Sequence, residues 1–122
     1  MKAFPRRVRV ADQIQKELSE LVRRELKDPR VGAVTLTDVE VTADYAHATI
    51  YVSSWETTER LEQSVQALID GAGFLRRQLG KRLTVHTLPQ LHFVLDRSLD
   101  RAVALTHLID AAVAADEERQ QD

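Results

Sequence analysis

The sequence predicts an α+β fold. A helical apolar period opens the chain, two alternating β-branched segments follow, and a second helical period broken by glycines leads into a third alternating segment. The expected order is helix, strand, strand, helix, kink, helix, strand, helix, with a three-stranded sheet packed against the helices. At 122 residues the chain is the size of one domain, read here as residues 1–115 with a short polar tail over 116–122.

The first helix is expected over residues 7–27, where Val10, Ile14, Leu18, Leu21, Val22 and Leu26 recur at spacings of three and four. Pro29 cannot continue it, and Gly32 frees the turn that follows. In Val34 to Val41 the apolar positions change parity between Leu36 and Val39, which predicts a strand with a bulge near Thr37 and Asp38. Ala46, Ala48, Ile50 and Val52 alternate with polar neighbours, so a second strand pairs with the first as an antiparallel hairpin. Thr57 or Thr58 caps the next helix, whose stripe is Leu61, Val65, Leu68 and Ile69. Gly71-Ala72-Gly73 interrupts that helix, and Phe74, Leu75, Leu79 and Leu83 resume the period at once, so a kink is expected there. After Pro89, which confines a strand to a late start or an edge, Leu91, Phe93 and Leu95 alternate. Ser98 or Asp96 then caps a last helix with Leu99, Val103, Leu105, Leu108, Ile109 and Val113.

Composition excludes several classes. With 43% apolar and 30% charged residues the chain can fill a core and coat it, unlike a disordered one. No apolar run approaches the roughly 18 to 20 residues of a membrane span, and no apolar run follows the basic start as in a signal peptide. The absence of cysteine excludes disulfides and thiol chemistry and fits a cytoplasmic protein. The net charge of -2 conceals sorting: residues 1–30 and 74–101 each sum to +4, whereas 31–73 sum to -6 and 102–122 to -4. Two basic segments separated by an acidic one can fold into a basic face suited to a polyanion, or into a charge-sorted surface with no ligand.

Seven blocks carry a resemblance. They are Arg6-Arg7-Val8-Arg9-Val10-Ala11-Asp12-Gln13-Ile14, Asp28-Pro29-Arg30-Val31-Gly32, Val39-Glu40-Val41, Ala48-Thr49-Ile50-Tyr51-Val52-Ser53, Gly73-Phe74-Leu75-Arg76-Arg77, Leu79-Gly80-Lys81-Arg82-Leu83 and Pro89-Gln90-Leu91-His92-Phe93. Over roughly residues 5–110 the chain resembles the ribosome-binding factor A family. That resemblance implies a single KH-like domain of the bacterial type II, lacking the Gly-x-x-Gly loop with which ordinary KH domains clamp RNA, and no Gly-x-x-Gly occurs here. It implies a monomeric assembly factor that binds the immature small (30S) ribosomal subunit and its 16S rRNA. It further implies support for 16S rRNA processing and cold adaptation, a functional link to assembly GTPases, and no cofactor or chemistry of its own. Family members carry Ala-x-Gly at the kink, where this chain has Gly71, Ala72 and Gly73, so its kink angle is left open.

Ten cations are candidate RNA contacts. Arg76, Arg77, Lys81 and Arg82 follow the kink, with Arg77 and Lys81 one helical turn apart. Arg6, Arg7 and Arg9 oppose the dipole of the first helix, so an anionic partner is a reason to retain them. Arg30 in the turn, and Arg97 and Arg101 at the start of the last helix, either contact RNA or only solvate. Trp55 either stacks on a base or closes the end of the hairpin, whereas Phe74 and Phe93 belong to the core. The four histidines show no metal-ligand spacing, and no P-loop or nucleophile elbow is present. An enzyme would need a cleft collecting His92, Asp96 and His107. The alternative to RNA binding is a protein-interaction module acting through the acidic segments, with Glu56, Glu59 and Glu62 on its face.

Overall fold

The computed structural model describes residues 6–84 and 87–97, and its element order agrees with the sequence reading as far as Leu95. α1 (Arg6–Arg24) precedes β1 (Val34–Val41), β2 (His47–Ser54), α2 (Thr58–Asp70), α3 (Ala72–Gly80) and β3 (Gln90–Leu95). The predicted last helix, its cap Ser98 and the tail lie outside the described residues. Among the described residues no helix is long and apolar enough to cross a membrane.

α1 buries Ala11, Ile14, Leu18, Leu21 and Val22, the stripe its spacing predicts. It stops at Arg24, short of Lys27, because the amides of Glu25 and Leu26 both donate to the Leu21 carbonyl, at 2.8 and 3.1 Å. That wide closing turn brings Leu26 against the core.

The sheet order is β1-β2-β3, antiparallel between β1 and β2 and parallel between β2 and β3. Parallel neighbours need a long crossover, which α2 and α3 provide. Among the described strands β3 is an edge, and Pro89 directly precedes it, where a missing N–H removes no ladder bond. Pairing in β1 shifts between Leu36 and Asp38, leaving Thr37 as the extra residue of the predicted bulge. Leu36 and Val39 therefore both turn toward the helices. The Thr37 hydroxyl bonds to the Tyr51 carbonyl and to the Asp96 carboxylate, tying β1 across β2 to the end of β3.

Thr57 caps α2 by accepting from the Arg60 amide at 3.3 Å. The buried face of α2 is Ser64, Val65, Ala67 and Leu68. Ile69, expected in that stripe, is 48% exposed, because the helix turns Ser64 inward and thereby rotates Ile69 out. At the kink Gly71 has φ -89° and ψ 3°, a conformation open to any residue, so space is what it provides. A Cβ there would lie 3.0 Å from Leu26 Cδ1 and 3.3 Å from the Ala67 carbonyl oxygen. The Gly71 amide donates to Ala67 and the Leu75 amide to Gly71, both at 2.9 Å, so Gly71 is bonded to the helix on each side although the helical run itself is interrupted there.

The turn between α1 and β1 is fastened to α2. Ser64, the buried polar side chain of the core at 1% exposure, accepts from the Gly32 amide at 3.0 Å and donates to the Arg30 carbonyl at 3.2 Å. The Arg30 guanidinium donates to Asp28 at 2.7 Å and to Asp70 at 3.0 Å. Glu56 accepts from the Ala33 amide at 3.0 Å and from Arg60 Nε at 3.1 Å. Gly32 makes that approach possible, since a Cβ on it would sit 2.6 Å from Glu56 Oε1. Bonds from Arg30 hold the Asp28 and Asp70 carboxyls below their ordinary value, and the Ala33 amide does the same for Glu56.

Two predictions follow from this fastening. Ser64→Ala removes the bonds to the part-buried Gly32 amide and Arg30 carbonyl and should lower the unfolding free energy by about 1 to 3 kcal/mol, read from urea denaturation. The three carboxyls titrate lower when folded than when unfolded. Their contribution is complete above the ordinary values of 3.8 for aspartate and 4.5 for glutamate and is lost as pH falls through the folded ones. The urea midpoint should therefore decline below about pH 4, and less steeply in Arg30→Gln, which removes the largest cause of the depression at Asp28 and Asp70.

Candidate nucleic-acid interface

α1 and α3 lie side by side and run in opposite directions. Gly71, where α3 begins, abuts Leu26 beyond the end of α1, and Arg82, just past α3, reaches Glu17 in the middle of α1 at 3.1 Å. The N-terminus of α1 therefore projects past the end of α3, with Arg9 and Arg6 about 12 to 16 Å along the helix from Glu17. Arg6, Arg7 and Arg9 are exposed there, and no acidic side chain in the first turn offsets them against the helix dipole.

On α3 and its exit the four predicted cations divide by the work they do. Arg77 and Lys81 are exposed, one turn apart, and make no ion pair among the described residues. Arg76 instead donates through Nε to the Pro89 carbonyl at 3.1 Å and through its terminal nitrogen to the Leu88 carbonyl at 2.7 Å, fixing the entry to β3. Arg82 is bound to Glu17 and, at 3.5 Å, to Glu20. Gly73 lies exposed on the same helix as Arg77, and a Cβ on it would meet nothing nearer than Arg77 Nη1 at 3.7 Å. Neither backbone angle nor packing demands a glycine at that position.

The remaining candidates are dispersed. Arg30 is bound to Asp70 immediately before the kink, and Arg97 is exposed past the end of β3, beside Ser53, Glu56 and Leu61. Arg101 lies outside the described residues. Antiparallel packing thus sets the exposed cations of the α1 N-terminus and those of α3, Arg77 and Lys81, on two neighbouring helices that Arg82 braces.

The face of the sheet turned away from the helices carries different chemistry. Tyr51 donates to Glu40 at 3.3 Å, and the Glu40 charge raises its phenol above the ordinary value. His47 Nδ1 and His92 Nε2 stand 2.9 Å apart, brought together by the parallel pairing of β2 and β3 although 45 residues separate them. No local pattern of residues signals this pair. No group of three metal-ligating side chains occurs among the described residues. His92 is thus engaged by His47 and Asp96 by Thr37, while His107 lies outside the described residues. Phe93 is buried and Phe74 half-buried, in agreement with their assignment to the core, whereas Trp55 is 93% exposed. Sequence reading missed Arg23, which lines the same groove as Trp55. Its position in the last turn of α1 looks like ordinary dipole compensation and conceals it.

A family profile described as ribosome-binding factor A matches residues 6–109. The ribosome-binding factor A of Aromatoleum aromaticum is 50% identical over 121 residues, covering 99% of this chain and 95% of that one. That of an Azoarcus species is likewise 50% identical, covering 99% and 96%. The solution structure of a putative ribosome-binding factor A from Thermotoga maritima superposes with a TM-score of 0.71 at 32% identity, covering 80% of this chain and 93% of that chain. A homology model of the Thermus thermophilus factor, fitted into a cryo-electron microscopy map of its 30S complex, gives a TM-score of 0.62 at 25% identity, covering 75% and 96%. Matched along nearly its whole length by full-length relatives and sharing their α+β fold, the chain belongs to the ribosome-binding factor A family.

Proposed function

We propose that this protein is a cytoplasmic, monomeric assembly factor that docks on the immature 30S subunit through 16S rRNA and supports processing and maturation of that rRNA, including in the cold. The observation that carries the reading is the exposure of Arg6, Arg7, Arg9, Arg77 and Lys81 on the neighbouring helices α1 and α3, on a chain whose relative has been placed in a 30S complex. Cations along a helix edge release counterions from an RNA backbone and give affinity without reading sequence. Arg76, Arg82 and Arg30 support these helices from within the fold, Arg97 is a peripheral contact, and Arg101 is a further candidate contact. Gly73 lets the α3 backbone approach a phosphate more closely than a side chain would permit.

The protein acts by occupancy. Binding energy favours one rRNA conformation over its competitors and keeps the site closed to translation ligands until maturation is complete, a population shift that needs no catalysis and no cofactor. Release falls to a competing event such as an assembly GTPase.

Cosedimentation with immature and mature small subunits across a salt series tests this. Arg77→Gln with Lys81→Gln should leave the urea midpoint unchanged and reduce the slope of log affinity against log salt by about 2, one for each phosphate contact. A folded wild-type protein that binds neither particle would refute the assembly role. Gly73→Ala should raise the unfolding free energy by about 0.5 to 1 kcal/mol, by restoring helix propensity, while weakening subunit binding. Undiminished binding by that variant would remove Gly73 from the contact surface.

A further inference from the structure

Between the C-terminal half of α1 and the start of β1 lies an open groove of about 710 Å³ that the function above does not use. Its floor is apolar, made by Val22, Leu26, Val31 and Val34, and Trp55 stands on its wall. An indole left 93% in water beside an apolar groove is an unusual use of the largest aromatic side chain. The rim is cationic where it is free to act. Arg23 makes no ion pair among the described residues, and Asp28, the carboxylate in the lining, is already taken by Arg30.

We propose that this groove is a subsite for an unpaired RNA base, stacked on Trp55 with its phosphate met by Arg23. The inference rests on the RNA-binding reading and adds to it a place where a nucleotide leaves its helix. A flat exposed ring, an apolar slot and one uncommitted guanidinium match the parts of a single-stranded nucleotide: a π-face, a poorly solvated edge and an anion. An apolar peptide would use the floor but has no need of Arg23. A paired helix would reach Arg23 but cannot present a base face to Trp55.

The chain contains one tryptophan, so its fluorescence reports on this groove alone. Single-stranded oligoadenylate added to the full chain should quench Trp55 emission along the same titration curve as the anisotropy of a labelled oligonucleotide, and a fully paired RNA duplex should not. In cosedimentation with immature subunits, Trp55→Ala should weaken binding on the order of tenfold, Trp55→Phe should retain most of it, and Arg23→Gln should weaken it severalfold. Trp55→Leu separates stacking from simple apolar contact and should bind as poorly as the alanine variant. The exposure of Trp55 keeps these variants folded, which a urea titration checks. Wild-type affinity for subunits in Trp55→Ala would overturn the subsite and leave the assembly role intact. Loss of subunit binding without quenching by oligoadenylate, or rescue by leucine, would assign the groove to a protein side chain. Failure of the wild type to bind subunits would overturn the assembly role and this subsite together.

Discussion

The hydroxyl of Ser64 bonds the turn after α1 on both sides, to the Gly32 amide and the Arg30 carbonyl, from a position in the middle of α2. Because that oxygen is buried, water cannot replace either partner, and the separation between turn and helix is held within hydrogen-bonding limits. Much else is placed by this link. The turn directs the chain into β1, the same stretch of chain positions Leu26 against the kink, and the kink sets where α3 begins beside α1. The placing of the α3 cations beside α1 therefore descends from a neutral oxygen rather than from the charges themselves.

The cations show how one residue type does two kinds of work. Arg30, Arg76 and Arg82 have their donors turned inward, toward carboxylates and carbonyls that would otherwise lack part of their bonding. These pairs are partly solvated, so their value lies in orientation more than in energy. Arg77, Lys81 and Arg23 make no such bonds among the described residues and can meet an anion without first breaking an internal contact. Sequence proximity does not sort the two sets, since Arg76 and Arg77 are adjacent and fall on opposite sides of the division.

What could be read from the chain beforehand was whatever repeats locally. The α1 stripe, the hairpin, the bulge at Thr37 and the break at Gly71 each leave a trace within a few residues, as a period, a change of parity or a glycine. The inward turn of Ser64 and the consequent exposure of Ile69 leave no such trace, because a serine in a helical period looks like a solvent-facing residue. The same limit hid the partners of Arg30 and Arg82, 40 and 65 residues away, and the meeting of His47 with His92. The groove was half visible: Trp55 attracts notice in any sequence, whereas Arg23 gains meaning only beside it.

The parallel pairing of β3 with β2 has a kinetic consequence. The β1–β2 hairpin closes through a short local turn, but β3 reaches its place only after residues 55–89 have folded over the sheet. Its contacts are the long-range ones, and loop-closure entropy must be met before they form. Until then the inner edge of β2 presents unpaired amides and carbonyls to any other extended chain. The bend at Gly71 lies within that crossover, so the kink sits in the very segment whose closure admits β3 to the sheet.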